Sequence, residues 1–121
     1  MKTTKTIFSA ILFLAFLFTF SIVKAQAPVK KTDIFKVYGN CGMCKETIEG
    51  SLKKKDGVEK KEWNAKTKMM TVTYDPAKIS LEQIKQKMAG SGYDTDGSTA
   101  KDEAYNKLHD CCKYERPKNK S

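Results

Sequence analysis

The residues able to do chemistry fall in two places. Cys41 and Cys44 stand two residues apart in "VYGNCGMCKETIEGSL", residues 37–52, where an alternating stretch gives way to a helical one. His109, Cys111 and Cys112 lie close together near the C-terminus. A Cys-x-x-Cys pair is open to three uses: a redox switch, a structural staple or a clasp for a metal ion. Two thiolates at the mouth of a short loop can grip a soft, low-coordinate cation, because thiolate selects Cu(I) and similar ions over Mg²⁺ or Ca²⁺. A structural Zn²⁺ asks for four ligands, and this loop offers two. The terminal cysteines are adjacent, so their Cα atoms stand about 3.8 Å apart against a usual disulfide range of about 4.4–6.8 Å, and a bond between them would be strained. Together with His109 they form a candidate auxiliary set of soft-metal donors. The rival readings for this set are a disulfide, no role, or a histidine serving as solvated residue or helix-dipole partner.

These side chains need elements to hold them. "DIFKVYG" alternates, with Phe35 and Val37 on one face, and reads as a first strand after an irregular, basic lead-in from Val29 to Thr32. Cys44, Ile48 and Leu52 then recur at helical spacing, and Gly57 is expected to stop that helix. "VEKKEWN" predicts a second strand with Trp63 inward, and residues 65–67 a hairpin turn. In "KMMTVTY" the residues Met70, Val72 and Tyr74 share a face of a third strand, which Asp75-Pro76 ends. Ser80 with Gln83 forms a capping box for a second helix whose buried stripe is Leu81, Ile84 and Met88; Gly90 and Gly92 break it, and "YDTD" supplies a short fourth strand. The order βαββαβ predicts an α+β, ferredoxin-like fold, an antiparallel sheet with both helices on one face. Beyond it, Thr99 and Asp102 suggest the start of a short C-terminal helix, with Ala104, Tyr105 and Leu108 near one face, and the polar end reads as disordered.

This order places Cys41 on the loop leaving the first strand and Cys44 on the first turn of the first helix. Unpaired N–H groups and the helix dipole favour anions there, so both thiols should ionise more readily than free cysteine. Met43 reads as an exposed spacer, with a thioether ligand as the lesser alternative. From Gly97 to Cys111 the chain can reach up to about 46 Å, enough for the terminal cysteines to visit the clasp.

At these residues the sequence resembles the heavy-metal-associated domain of copper chaperones, of metal-pumping ATPase N-termini and of mercury-binding periplasmic proteins. The resemblance runs from Ile34 to about Asp94 and rests on "CGMCKETIEGSL", "DGV", "TVTYDP" and "SGYD". It implies a carrier that binds its ion, Cu(I) or another soft metal, through Cys41 and Cys44 and passes it on by thiolate exchange. The implied partner is a metal-transporting ATPase or another metal-handling protein. The family places an aromatic residue or a lysine beside the metal loop where Tyr93 stands, which makes Tyr93 a candidate cover for the site. Two features depart from the family. Gly39 and Asn40 occupy the positions of a Met that packs beneath the loop and a small polar residue, and the terminal Cys111-Cys112 is additional.

The whole chain sets the bounds. Its 121 residues suit one folded domain. Lys2 and Lys5 precede an uncharged apolar run, Ile7–Val23, and small residues follow at Val23 and Ala25, the pattern of a secretory signal peptide cleaved after Ala25. That run would span roughly 26 Å as a helix, just short of a hydrocarbon core of about 30 Å, which leaves an uncleaved anchor as the alternative. The expected organisation is a signal peptide over residues 1–25, a lead-in over 26–32, the heavy-metal-associated domain over 33–97 and a C-terminal extension over 98–121, in a periplasmic or secreted protein without stable membrane insertion after cleavage. The formal charge of +9 is carried by lysines interleaved with acids, as in "KKKDGVEKKEW", and with export this argues against nucleic acid. "KMMTVTY" also lacks the Gly-aromatic pattern of RNA-binding sheets. No carboxylate pair, Ser-His-Asp set or phosphate loop stands out in the sequence, so the chain reads as a carrier rather than an enzyme. The alternative is a thiol–disulfide oxidoreductase using the same Cys-x-x-Cys; against it, no Trp precedes Cys41 and the order of elements differs from that fold.

Overall fold

Period-two patterning builds the sheet. The structure, a computed structural model, describes residues 27–118; the signal peptide expected over residues 1–25 lies outside the described residues. Strand β1 is Lys31–Lys36, β2 is Val58–Trp63 and β3 is Met69–Tyr74. β3 is central and antiparallel to both neighbours, with Phe35 and Trp63 both opposite Met70. Alternate residues turn inward, so Phe35, Val58, Trp63, Met70, Val72 and Tyr74 are buried while Ile34 and Met69 face out. β1 begins at Lys31 rather than at Asp33, because Lys31 and Thr32 pair with Tyr74 and Thr73 and the two threonine hydroxyls lie 2.8 Å apart.

Two helices cover the inward face. Helix α1, Gly42–Gly50, sets Cys44 and Ile48 against the sheet, and Leu52 continues the same stripe just past its end. Helix α2, Leu81–Gly90, opens with the capping box: Gln83 N–H donates to Ser80 Oγ at 3.1 Å and Ser80 N–H to Gln83 Oε1 at 2.9 Å. Its stripe is Ile84, Met88 and Ala89, with Leu81 only half-buried. Each fully buried Ile, Leu or Met adds about 1.5–3 kcal/mol of apolar transfer energy, which makes this face the main source of stability. The fold is α+β and ferredoxin-like.

Three expectations need correction. α1 ends at Gly50, not at Gly57; a 3₁₀ turn over Lys54–Asp56 intervenes, and Gly57, at φ 96°, turns the chain out of that second element. The fourth strand shrinks to one bridge, Val37 with Thr95. Thr95 Oγ1 accepts the N–H groups of Gly97 and Ser98, and that side-chain turn bends the chain away before a second pair forms. The C-terminal helix, α3, is Asp102–Asn106, with Lys101 rather than Thr99 at its N-cap.

The segment after α3 folds back onto the core, and the last residues of the end expected to be disordered, 119–121, lie outside the described residues. This segment makes a second 3₁₀ turn over Asp110–Cys112, and both Cys112 and Tyr114 are buried in the main core. Among the described residues, no helix is long and apolar enough to cross a membrane.

Candidate metal centre

The clasp hangs between β1 and α1. After the Val37 bridge the chain passes Tyr38, Gly39 and Asn40 to Cys41, which is the N-cap of α1 with extended backbone. Trp63 supports this loop from below: its indole N–H donates to the Val37 carbonyl at 3.0 Å. A Cβ on Gly39 would stand 3.0 Å from two carbons of the Trp63 ring and 3.2 Å from Ile48 Cδ1. The glycine therefore lets the indole occupy the space under the loop, where the family resemblance assigns a methionine.

Cys41 and Cys44 come together, with their Sγ atoms 3.8 Å apart. Cys41 is half-buried and Cys44 fully buried. Burial opposes ionisation of Cys44, but hydrogen bonds from the backbone at Cys41 and Asn40 outweigh it and bring the thiol below its ordinary value. The Asn40 N–H donates to Cys44 Sγ at 3.4 Å. For Cys44 the effect expected of a helix N-terminus is expressed through specific donors.

The terminal cysteines reach the same place. Cys41, Cys111 and Cys112 have their Sγ atoms all within 4.8 Å of one another, and Cys111 and Cys112 are 3.9 Å apart. The Cys41 thiol also donates to the Cys111 carbonyl at 3.8 Å. Cys111 is exposed and Cys112 buried, and all four cysteines are free thiols. Burial, then its neighbours Cys44 and Cys111, push the Cys112 thiol up to about 12, so Cys44 gives up its proton before Cys112 does.

The other candidates divide. Tyr93 is wholly buried beside the thiols, and burial, reinforced by Cys44 and Cys112, raises its phenol. Its hydroxyl has no hydrogen-bond partner among the described residues. Met43 is half-exposed, yet its Sδ accepts from the Cys111 thiol at 3.8 Å. His109 is not drawn into the thiol group; it is exposed and lines a neighbouring cavity of about 430 Å³ with Tyr93 and Cys112.

Sequence reasoning missed the residues that dock the tail. Tyr114 Oη accepts the Asp94 N–H at 2.7 Å and donates to the Gly92 carbonyl at 2.8 Å. Its ring stacks on Tyr93 and Tyr38 and meets Tyr105 edge-on. Arg116 holds the buried Asp94 carboxylate with two bonds, at 2.8 and 3.0 Å, and reaches the Ala100 carbonyl at 2.6 Å. Burial alone would raise Asp94, but Arg116 and the Ala100 N–H bring it below the usual carboxylate range. The only hint in the sequence was an aromatic and an arginine in "CCKYER", in a stretch otherwise polar.

A strand-to-helix loop carrying paired thiols, on an antiparallel sheet backed by two helices, invites comparison with known metal-handling proteins. Residues 35–94 match the heavy-metal-associated domain. The mercuric transport protein periplasmic component of Shewanella putrefaciens is 34% identical over 77 residues, covering 64% of this chain and 85% of that one. The zinc-transporting ATPase of Synechocystis is 39% identical over 69 residues, 56% of this chain and 10% of the ATPase. Among solved structures, the CopZ metallochaperone superposes with a TM-score of 0.51 at 33% identity, covering 54% of this chain and 98% of its own. Sequence match and fold agree, and the chain belongs to the heavy-metal-associated domain family.

Proposed function

We propose that this protein is an exported carrier of a soft metal ion, Cu(I) foremost, with Hg²⁺, Cd²⁺ or Zn²⁺ as other cargoes. It holds the ion between Cys41 and Cys44 and passes it on by ligand exchange. The observation that carries this reading is the pair itself: two sulfurs 3.8 Å apart at a helix N-terminus. One is half-exposed, and the other is buried and poised to ionise. An incoming thiolate would meet Cys41 first, while Cys44 holds the ion from the protein side. The relatives are a chaperone, a mercuric transport component and an ATPase segment, which supports a carrier over an enzyme and a metal-transporting ATPase or similar protein as partner. The apolar run at residues 7–23 supports export to the periplasm or beyond.

Titration of the reduced protein with Cu(I) against a competing chelator tests this. Cys41→Ser and Cys44→Ser should each weaken binding by at least about 100-fold, since one thiolate alone is a poor Cu(I) site. Unchanged affinity in Cys44→Ser would overturn the reading. Ready turnover in an insulin-reduction assay would favour the oxidoreductase instead.

A further inference from the structure

We propose that Cys111 and Cys112 complete the clasp, so that this single chain closes three or four thiolates around one divalent d¹⁰ ion of the zinc, cadmium and mercury column. The inference rests on the role of Cys41 and Cys44 just given and adds a second loading mode to it.

Spacing is the first argument. At a metal–sulfur bond of about 2.3 Å, sulfur atoms stand about 3.8 Å apart on a tetrahedral edge, about 4.0 Å in a trigonal plane and about 4.6 Å across a linear site. The pairs Cys41–Cys44 at 3.8 Å and Cys111–Cys112 at 3.9 Å match the closed geometries. Cys41, Cys111 and Cys112 form a triangle within 4.8 Å, and Cys44 adjoins it through Cys41, 3.8 Å away.

Anchoring is the second. The two terminal sulfurs are not on a loose end, because Tyr114 and Arg116 follow them directly and are tied to Gly92, Asp94 and Ala100. Asn40 Nδ2 donates to the Lys113 carbonyl at 3.0 Å, fastening the tail to the residue beside the clasp. A donor set placed this way loses little entropy on binding.

The third argument is a polar atom without a partner. Tyr93 Oη is buried against Cys44 and Cys112 and makes no hydrogen bond among the described residues. A thiol is a weak acceptor; a metal-bound thiolate is a better one. Loading the site would therefore satisfy a group that the empty site leaves unpaired. The protons displaced from the thiols leave to solvent past the exposed Cys111.

Cd²⁺ titration of the reduced full chain, followed by thiolate-to-metal charge-transfer absorption and ¹¹³Cd NMR, tests the proposal. One Cd²⁺ per chain is expected, with the signature of three or four thiolates. In Cys111→Ser, whose side chain is exposed, one thiolate should vanish from the signature and Cd²⁺ affinity should fall about tenfold or more; the double variant Cys111→Ser/Cys112→Ser should lose about 100-fold or more, with one Cu(I) still bound. If Cys112→Ser fails to fold, Cys111→Ser alone decides. A Cd²⁺ signature and affinity unchanged in Cys111→Ser would overturn the proposal while leaving the carrier reading intact. Loss of Cu(I) binding in Cys41→Ser, by contrast, bears on the carrier reading alone.

Discussion

Tyr114 lies nearly parallel to Tyr93, with ring centroids 5.9 Å apart and 19° between their planes. Tyr93 ends the helical layer of the domain and Tyr114 belongs to the tail, so this stack joins the C-terminal segment to the core at the back of the thiol group. Tyr38, leaving β1, stacks on the same Tyr114 ring, with centroids 6.4 Å apart. The tail is held by aromatic packing and polar anchoring together, and its cysteines are positioned by both.

Tyr114→Phe keeps the stack and removes the hydroxyl. The Asp94 N–H and the Gly92 carbonyl then lose their partner inside a buried site, at about 1–3 kcal/mol. Tyr114→Ala also leaves a cavity and should cost about 3–5 kcal/mol. Urea unfolding of the metal-free protein measures both, and equal stability in the two variants would refute a packing role for the ring.

Asp94 and Arg116 should give a pH-dependent anchor. The folded carboxyl is held below its unfolded value of about 3.9, so its contribution is complete above that range and is lost as pH falls through the lower folded value. Arg116→Met should cost about 3 kcal/mol at neutral pH, because the buried carboxylate is left without its cation. In that variant burial raises Asp94, so protonation relieves the penalty. The gap between wild type and variant should therefore narrow on acidification, as followed by denaturant midpoints from pH 7 to pH 3. A gap that widens would refute the assignment.

Tyr93→Phe separates stability from binding. Removing a buried hydroxyl without a partner should leave the metal-free protein equal or more stable by up to about 1 kcal/mol. The same change removes a donor facing Cys44 and Cys112, so metal affinity should fall several-fold. Thermal unfolding with and without Cd²⁺ reads both effects, and the predicted signs are opposite.

Gly39→Met restores the residue that the family places under the loop. Here the space belongs to the Trp63 ring, 3.0 Å from where the new Cβ would stand, and overpacking should cost about 1–3 kcal/mol. The indole would also shift from Val37, changing its fluorescence. Trp63→Leu in the same chain should recover part of the loss; if Gly39→Met is neutral alone, the indole does not fill that space.

Much of the architecture was legible in the sequence because it depends on local pattern. Period two marked Met70, Val72 and Tyr74 as one face of β3; helical spacing marked Cys44, Ile48 and Leu52; Ser80 and Gln83 announced the start of α2. Those signals put Cys41 and Cys44 at a strand-to-helix junction, where backbone donors favour a thiolate. Tertiary structure alone decided the rest. Nothing periodic links Cys111 to Cys41, 70 residues apart, since their meeting depends on where Tyr114 finds a ring to stack on and where Arg116 finds a buried carboxylate. The fourth strand shrank to a bridge because the Thr95 side chain captured the next backbone N–H groups, a choice between neighbours that hydrophobic alternation does not record. Trp63 was legible as core, but its place beneath the thiol loop follows from the missing side chain at Gly39, a fit of volumes that exists only once both are packed.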